Sequence, residues 1–287
     1  MRKKFFCYFR IVQDESKNMT PGQRKQVIVA ALVFAVLVSL VCVDWTVFLR
    51  KDYRYVLKQG RLTWITEAAP WGFTSQNRDS IGFHYEVLKA YADSLKLELE
   101  VKVIPERKEQ LKALRLGKGC LLATDVLHTA ALKEHFCCLH PFYVAKIHLV
   151  QNVLADTLLT DASQLQGKRV FVPADEAYIL RLQHLMEELA GDIEVLTSPK
   201  ATEQNGLDSV LTGDASYALC LDVHARYWKS NYPTLDFSVP VGMEQPCGWV
   251  VNKEATELAL SLNEFLQNFM MTQDYRQIYR KYFSPSN

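Results

Sequence analysis

Two stretches of this chain bring chemically able side chains close together. His135, Cys137, Cys138 and His140 offer four nitrogen and sulfur donors within six residues, the types that hold zinc. No second ligand pair follows at finger-like spacing, and in an extended strand such neighbours point alternately to opposite faces. The quartet is read as structural, and no metal is expected. Asp175 and Glu176 are adjacent carboxylates that could act as acid and base, but loop carboxylates are ordinarily just solvated. The chain has no nucleophile elbow, no H-E-x-x-H helix and no G-x-x-x-x-G-K phosphate loop. A binding role without a cofactor is therefore expected rather than catalysis.

The elements that must position any site alternate between strand and helix. Residues 62–66 (LTWIT) form a short apolar strand ended by the turn-like Ala68-Ala69-Pro70-Trp71-Gly72. Leu88, Tyr91, Ala92 and Leu95 recur at helical spacing over residues 85–95, residues 97–104 alternate as a second strand, and Leu111 and Leu114 mark a helix that Gly117 ends. Residues 120–123 (CLLA) read as a third, buried strand. The second half repeats the pattern: strand 168–172, helix 178–189, strand 193–196, a short helix at 206–211 and strand 217–221. Such β-α-β succession predicts parallel sheets covered by helices. The tail, 256–282, reads as helical, with Leu258, Leu262, Phe265, Leu266 and Phe269 on one stripe.

The chain has 287 residues, is 49% hydrophobic and 23% charged, and carries a net charge of +1. This composition excludes wholesale disorder and gives no global basic field for nucleic acid. The neutral total hides an asymmetry. Residues 1–26 hold seven Lys/Arg against Asp14 and Glu15, a net of +5, which leaves the rest of the chain at −4. Residues 27–43 (VIVAALVFAVLVSLVCV) then carry no charge, and the apolar run resumes past Asp44 to Leu49. Its length suits a membrane span, with Trp45 at the interface and the basic flank held in the cytoplasm. A start at Met19 would make the same run resemble an export signal. Cys42 lacks the small preceding residue of a lipoprotein site, so an uncleaved anchor is expected. Seven cysteines leave five in the exported portion, an odd number that favours free thiols in the core over a disulfide framework.

Residues 81–101 (IGFHYEVLKAYADSLKLELEV), 114–143 (LRLGKGCLLATDVLHTAALKEHFCCLHPFY) and 165–173 (LQGKRVFVP) together resemble bacterial family 3 solute-binding proteins. Residues 167–185 and 217–253 are most similar to the non-catalytic, solute-binding-like module of membrane-bound lytic murein transglycosylase F. The resemblance covers residues 61–283. It implies an α/β, two-lobe, periplasmic-binding-protein-like fold of the hinge-closing type II, preceded by one N-terminal transmembrane helix. The expected domains are a basic cytoplasmic segment (1–26), an anchor (27–49), the first part of lobe one (61–147), lobe two (148–240) and a return to lobe one (241–287). The lobes would be joined by crossing segments near Tyr143–His148 and Val239–Gly242, with a cleft between them at the carboxyl ends of the strands.

The resemblance places Trp71 and Phe73 after the first strand, Thr124, Asp125 and Thr129 after the third, and Asp175, Glu176 and Tyr178 after the first strand of lobe two. Asp222 falls where the family commonly keeps an acidic partner for a ligand ammonium. The family's T-x-x-R…P-Y motif aligns Thr129 and Pro141 but sets Leu132 where an Arg clamps the ligand carboxylate, and Asp175-Glu176-Ala177 replaces the anion-binding loop. An ordinary α-amino acid is therefore not the expected ligand. The expected ligand is another small polar solute or a peptide fragment, the membrane is engaged through residues 27–49, and the expected protein partner is a transporter or a cell-wall enzyme. The alternatives are a ligand-free interaction module linked to cell-wall metabolism and a dehydratase-like enzyme on the same fold. The transglycosylase's catalytic domain would follow this module, beyond Asn287.

Overall fold

The computed structural model describes residues 52–76, 79–155 and 157–283, together with Val29 and Val33. Apart from those two valines, the basic segment and the expected anchor at 27–49 lie outside the described residues. Among the described residues no helix is long and apolar enough to cross a membrane.

Helix α1 (Tyr53–Gln59) starts where the Asp52 carboxylate accepts the Tyr53 N–H at 2.8 Å, and it stops at Gly60, whose φ of +63° is the left-handed turn glycine adopts without strain. Asp52 also accepts the Leu258 N–H, which ties this helix to the far end of the chain. The first lobe then runs β1 (Arg61–Thr66), the hairpin β2 (Thr74–Gln76) and β3 (Asp79–Ile81), α2 (Phe83–Ser94), β4 (Glu98–Val103), α3 (Arg107–Arg115), β5 (Leu121–Leu127), α4 (Ala130–His135), β6 (Phe136–Cys138) and β7 (Tyr143–Ala145). β1 lies between β4 and β5 and parallel to both, with Trp64 in register with Val101 and Leu121. Five of its six residues are buried, as a parallel strand covered on both faces requires.

The second lobe runs β8 (Ile147–Asn152), β9 (Arg169–Phe171), α5 (Glu176–Leu189), β10 (Glu194–Leu196), α6 (Glu203–Thr212), β11 (Tyr217–Leu221), α7 (Asp222–Asn231) and β12 (Leu235–Asp236). Its sheet has the order β10-β9-β11-β8-β12, parallel over the first three and antiparallel over the last two. The chain then returns through β13 (Gln245–Asn252), which joins the first sheet antiparallel to β5, β6 and β7, and ends in α8 (Thr256–Phe269) and α9 (Gln273–Phe283). The outgoing and returning crossings lie side by side: the Leu149 N–H donates to the Val239 carbonyl and the Val241 N–H to the Ile147 carbonyl, both at 2.8 Å.

Buried side chains cover both sheets, and one apolar cluster runs from Leu62, Trp64 and Trp249 of the first lobe to Val150, Ala218 and Trp228 of the second. Leu62, Trp64, Val87, Leu88, Trp249, Leu258 and Leu262 are wholly buried in the first lobe, and Leu149, Leu165, Val170, Val172 and Leu219 in the second. Each such side chain contributes roughly 1.5–3 kcal/mol by leaving water. The helical tail is divided in two, because the Thr272 hydroxyl accepts the Tyr275 N–H and starts α9 afresh after the break at 270–272. β8 and β13 were not anticipated. β13, QPCGWVVN, is a mostly buried strand with an irregularity between Gly248 and Val250.

Candidate functional site

β1 delivers the chain into a tight turn at 67–72. A Cβ on Gly72 would lie 2.5 Å from the Glu67 carbonyl oxygen, so the turn needs glycine there. The turn brings the Trp71 indole N–H to Glu67 Oε1 at 3.0 Å, and the Thr124 hydroxyl donates to the same oxygen at 2.5 Å. Thr124 and Asp125 are carried by β5. The buried Asp125 carboxylate faces His84 Nε2 at 3.1 Å and accepts from the Tyr143 hydroxyl and, at 2.8 Å, from His224. Trp249 fixes the His84 ring. An indole N–H can only donate, so the 2.9 Å contact makes His84 Nδ1 an acceptor and sets the ring proton on Nε2, facing Asp125.

His224 comes from the other lobe, in the first turn of α7. Its Nε2 meets Asp125, its Nδ1 lies 2.7 Å from Glu203 Oε2, and its ring stacks on Trp71 with centroids 3.7 Å apart and planes 10° from parallel. Burial opposes a charge on this imidazole, but the Glu203 carboxylate and the hydrogen bonds to Asp125 and Glu203 outweigh it and push the pKa up to about 10. Burial likewise opposes a charge on Asp125, yet His84 and His224 hold its carboxyl well below the usual range. Glu203 opens α6, and its other oxygen accepts the Tyr178 hydroxyl and the Leu221 N–H at 2.9 Å. A second contact crosses the lobes: Arg107 Nε donates to Asp175 Oδ2 at 3.0 Å, while its two terminal nitrogens donate to Gln110 and to the Asp125 carbonyl. Asp175 in turn caps α5 by accepting the Ala177 N–H at 3.0 Å.

These contacts border a cavity of about 560 Å³, within the ordinary range for a small ligand. Of the residues expected to bind ligand, Trp71, Asp125, Asp175 and Tyr178 line it, drawn from both lobes. The others lie elsewhere. Phe73 packs edge-on against Trp64 and Tyr85, Thr124 stands behind Glu67, and Thr129 caps α4 by accepting the Leu132 N–H. Glu176 occupies the exposed first turn of α5. Asp222 is clasped to the crossing strand: its carboxylate accepts the Lys146 N–H at 3.0 Å and its own N–H donates to the Lys146 carbonyl. The negative charge of Asp175 is matched by Arg107 rather than presented free to a ligand. Glu67, Arg107, Glu203 and His224 also line the cavity and were not anticipated. His135, Cys137, Cys138 and His140 do not converge with other ligands, and no group of three or more metal-ligating side chains comes together among the described residues.

The description of bacterial extracellular solute-binding proteins, family 3, fits residues 62–285. The chain belongs to this family. Within the family 3 solute-binding proteins it is similar to the membrane-bound lytic murein transglycosylases F of Desulfosudis oleivorans, at 23% identity over 80% of this chain and 50% of that one, and of Klebsiella pneumoniae, at 21% over 81% and 45%. The chain thus spans about half the length of these curated relatives, and the shared part is their solute-binding-like module. Among solved structures it is similar to a mutant of ArgBP from T. maritima, with TM-score 0.71, 21% identity and coverage of 80% of this chain and 98% of that one. It is also similar to the amino acid ABC transporter substrate-binding protein AbpA from Streptococcus pneumoniae bound to L-arginine, with TM-score 0.69, 18% identity and coverage of 82% and 100%. At these identities the likeness speaks for the fold, the two-lobe α/β architecture of the family 3 solute-binding proteins.

Proposed function

We propose that this chain is a membrane-tethered, extracytoplasmic solute-binding-like receptor whose lobes close on a small polar solute that is not an ordinary α-amino acid. The observation that carries the reading is the cavity of about 560 Å³ lined from both lobes and flanked by the Arg107–Asp175 and Asp125–His224 contacts, since a solute touching both walls favours the closed arrangement. The solute class follows from what is already committed. Arg107 is bonded to Asp175, Gln110 and a carbonyl, and Leu132 lies buried in α4, which leaves no free guanidinium among the described residues lining the cavity to clamp a carboxylate. The tether rests on residues 27–49 of the sequence, and exposure of the body to an externally added protease tests it. For the solute, a thermal-shift screen of the full-length chain against sugars, amines, nucleosides and short peptides is the direct test. Saturable stabilisation by one class supports the reading, and silence across all of them overturns it.

A second reading, a solute-free interaction module working with a cell-wall enzyme, gains support from His224, which already fills the cation-holding corner of the cleft. It also gains from the names of the relatives, in which this module is one half of a transglycosylase. Co-purification of a murein-acting enzyme with a chain that binds no solute distinguishes it.

A further inference from the structure

A flat cation held face-on by an indole and edge-on by two carboxylates is the arrangement by which proteins recognise guanidinium, imidazolium and amine ligands. Here every part of that arrangement is present and the cation is a side chain of the protein. Trp71 from the turn after β1 supplies the ring face, Asp125 on β5 meets one ring nitrogen, and Glu203 on α6 meets the other. Behind these stand His84 and Tyr143 on Asp125, Tyr178 and the Leu221 N–H on Glu203, and Arg107 on the Asp125 carbonyl. On its own helix His224 has Tyr227 and Trp228 as aromatic neighbours of Trp71, at 6.2 and 5.4 Å. Trp71 and Asp125 belong to the first lobe, whereas Glu203 and His224 belong to the second, so the contact spans the cleft.

We propose that His224 is a tethered ligand: it occupies a cation-binding subsite made by Trp71, Asp125 and Glu203, draws the lobes together without a solute, and excludes solutes that would deliver a flat cation to that corner. The carboxylates favour the protonated ring, consistent with its raised pKa. What the remaining cavity accepts is then a solute, or the part of one, that carries no guanidinium or imidazolium towards Asp125. This specificity rests on reading the cleft as a solute site, but the subsite itself is testable without knowing that solute.

The experiment removes the ring and returns it. In full-length His224→Ala the helix is kept and a hole the size of imidazole is left between Trp71, Asp125 and Glu203. Added imidazole should raise the melting midpoint of this variant saturably at millimolar concentration, methylguanidinium should do the same, and neither should stabilise the wild type. Adding Glu203→Gln to the variant should weaken the rescue at least tenfold. Failure of imidazole to stabilise folded His224→Ala, or equal stabilisation of the wild type, overturns the proposal. If His224→Ala does not fold even with imidazole, the nitrogen-15 spectrum of histidine-labelled wild type decides. Protonation of both His224 ring nitrogens at pH 7.5 is the expected result, and an unprotonated nitrogen overturns it. A failed solute screen with a successful imidazole rescue would sink the receptor reading and leave this one standing.

Discussion

Trp71 and His224 lie face to face, 3.7 Å between ring centroids and 10° from parallel, although the first belongs to the turn after β1 and the second to the helix after β11. The indole is held at its edge by Glu67 and the imidazole at both nitrogens by carboxylates, so neither ring can slide without breaking a hydrogen bond. The stack therefore fixes the relative placement of the lobes at a depth where Trp71 is only 5% exposed.

Shortening that stack should be costly in a graded way. Trp71→Phe keeps an aromatic face but loses the bond to Glu67, and it is expected to destabilise by about 1 kcal/mol. Trp71→Ala empties the site and should cost about 3–5 kcal/mol. Chemical denaturation of both variants checks the order. Equal losses would mean that the ring face does no more than fill space.

The high-pH limb of stability should depend on His224. Its folded pKa, about 10, lies above the ordinary histidine value, so its stabilisation is complete below about pH 6.5 and is lost as pH rises through about 10. Wild type should lose on the order of 3 kcal/mol more than His224→Gln between pH 7 and 10.5, because lysines, tyrosines and thiols titrate alike in both. Parallel curves for the two proteins would show that the ring is neutral in the fold.

Acid should act through a different histidine. Burial pushes His128 down to about 4, and its Nε2 finds no hydrogen-bond partner among the described residues. The unfolded chain takes up this proton first, so stability falls as pH drops from about 6.5 and the loss is complete near 4, amounting to roughly 2–3 kcal/mol. His128→Leu should flatten this limb in thermal melts at pH 4.5 relative to pH 7.5.

The Arg107–Asp175 contact is suited to a double-mutant cycle, since Asp175→Asn retains the α5 cap while removing the charge. With both side chains mostly shielded, coupling with Arg107→Gln of about 1–2 kcal/mol is expected. Strict additivity of the two single changes would place the pair among surface contacts of no consequence.

Free α-amino acids should not bind. A ligand at 100 times its dissociation constant stabilises by about 2.7 kcal/mol, enough to move a melting midpoint by degrees. Millimolar glutamate, glutamine or arginine is expected to leave the wild-type midpoint in place. A clear shift with any of them would show that a carboxylate clamp exists despite Leu132.

The alternation of short apolar strands with amphipathic helices was legible because parallel β-α-β units impose it, and helices 83–94 and 176–189 lie within two residues of their expected bounds. β13 was not legible, because Pro246 and Gly248 are the residues that normally interrupt a strand. Strand ends pointed to Trp71, Asp175 and Tyr178, which follow β1 and β9, and to Asp125, which lies within β5 because that strand runs on to Leu127. Arg107 was hidden inside a helix judged by Leu111 and Leu114, and its partner lies 68 residues away. His224 was missed because the helix that carries it was not read. Asp222 was chosen from the resemblance and no helix was read after residues 217–221, whereas in α7 His224 lies two residues further on, about 200° around the axis. The signal was present: a histidine in the first turn after a fully buried strand, with no apolar reason to be buried itself.

Asp222 is bonded in both directions to Lys146, between the short strands that carry the chain from one lobe to the other, and His224 follows it by two residues. The imidazole therefore sits on a very short arm pivoted at the crossing. Glu203 turns with His224 while Asp125 stays with the other lobe, so a twist at the crossing too small to open the cleft visibly strains the 2.8 Å bond to Asp125 first and leaves the 2.7 Å bond to Glu203 in place.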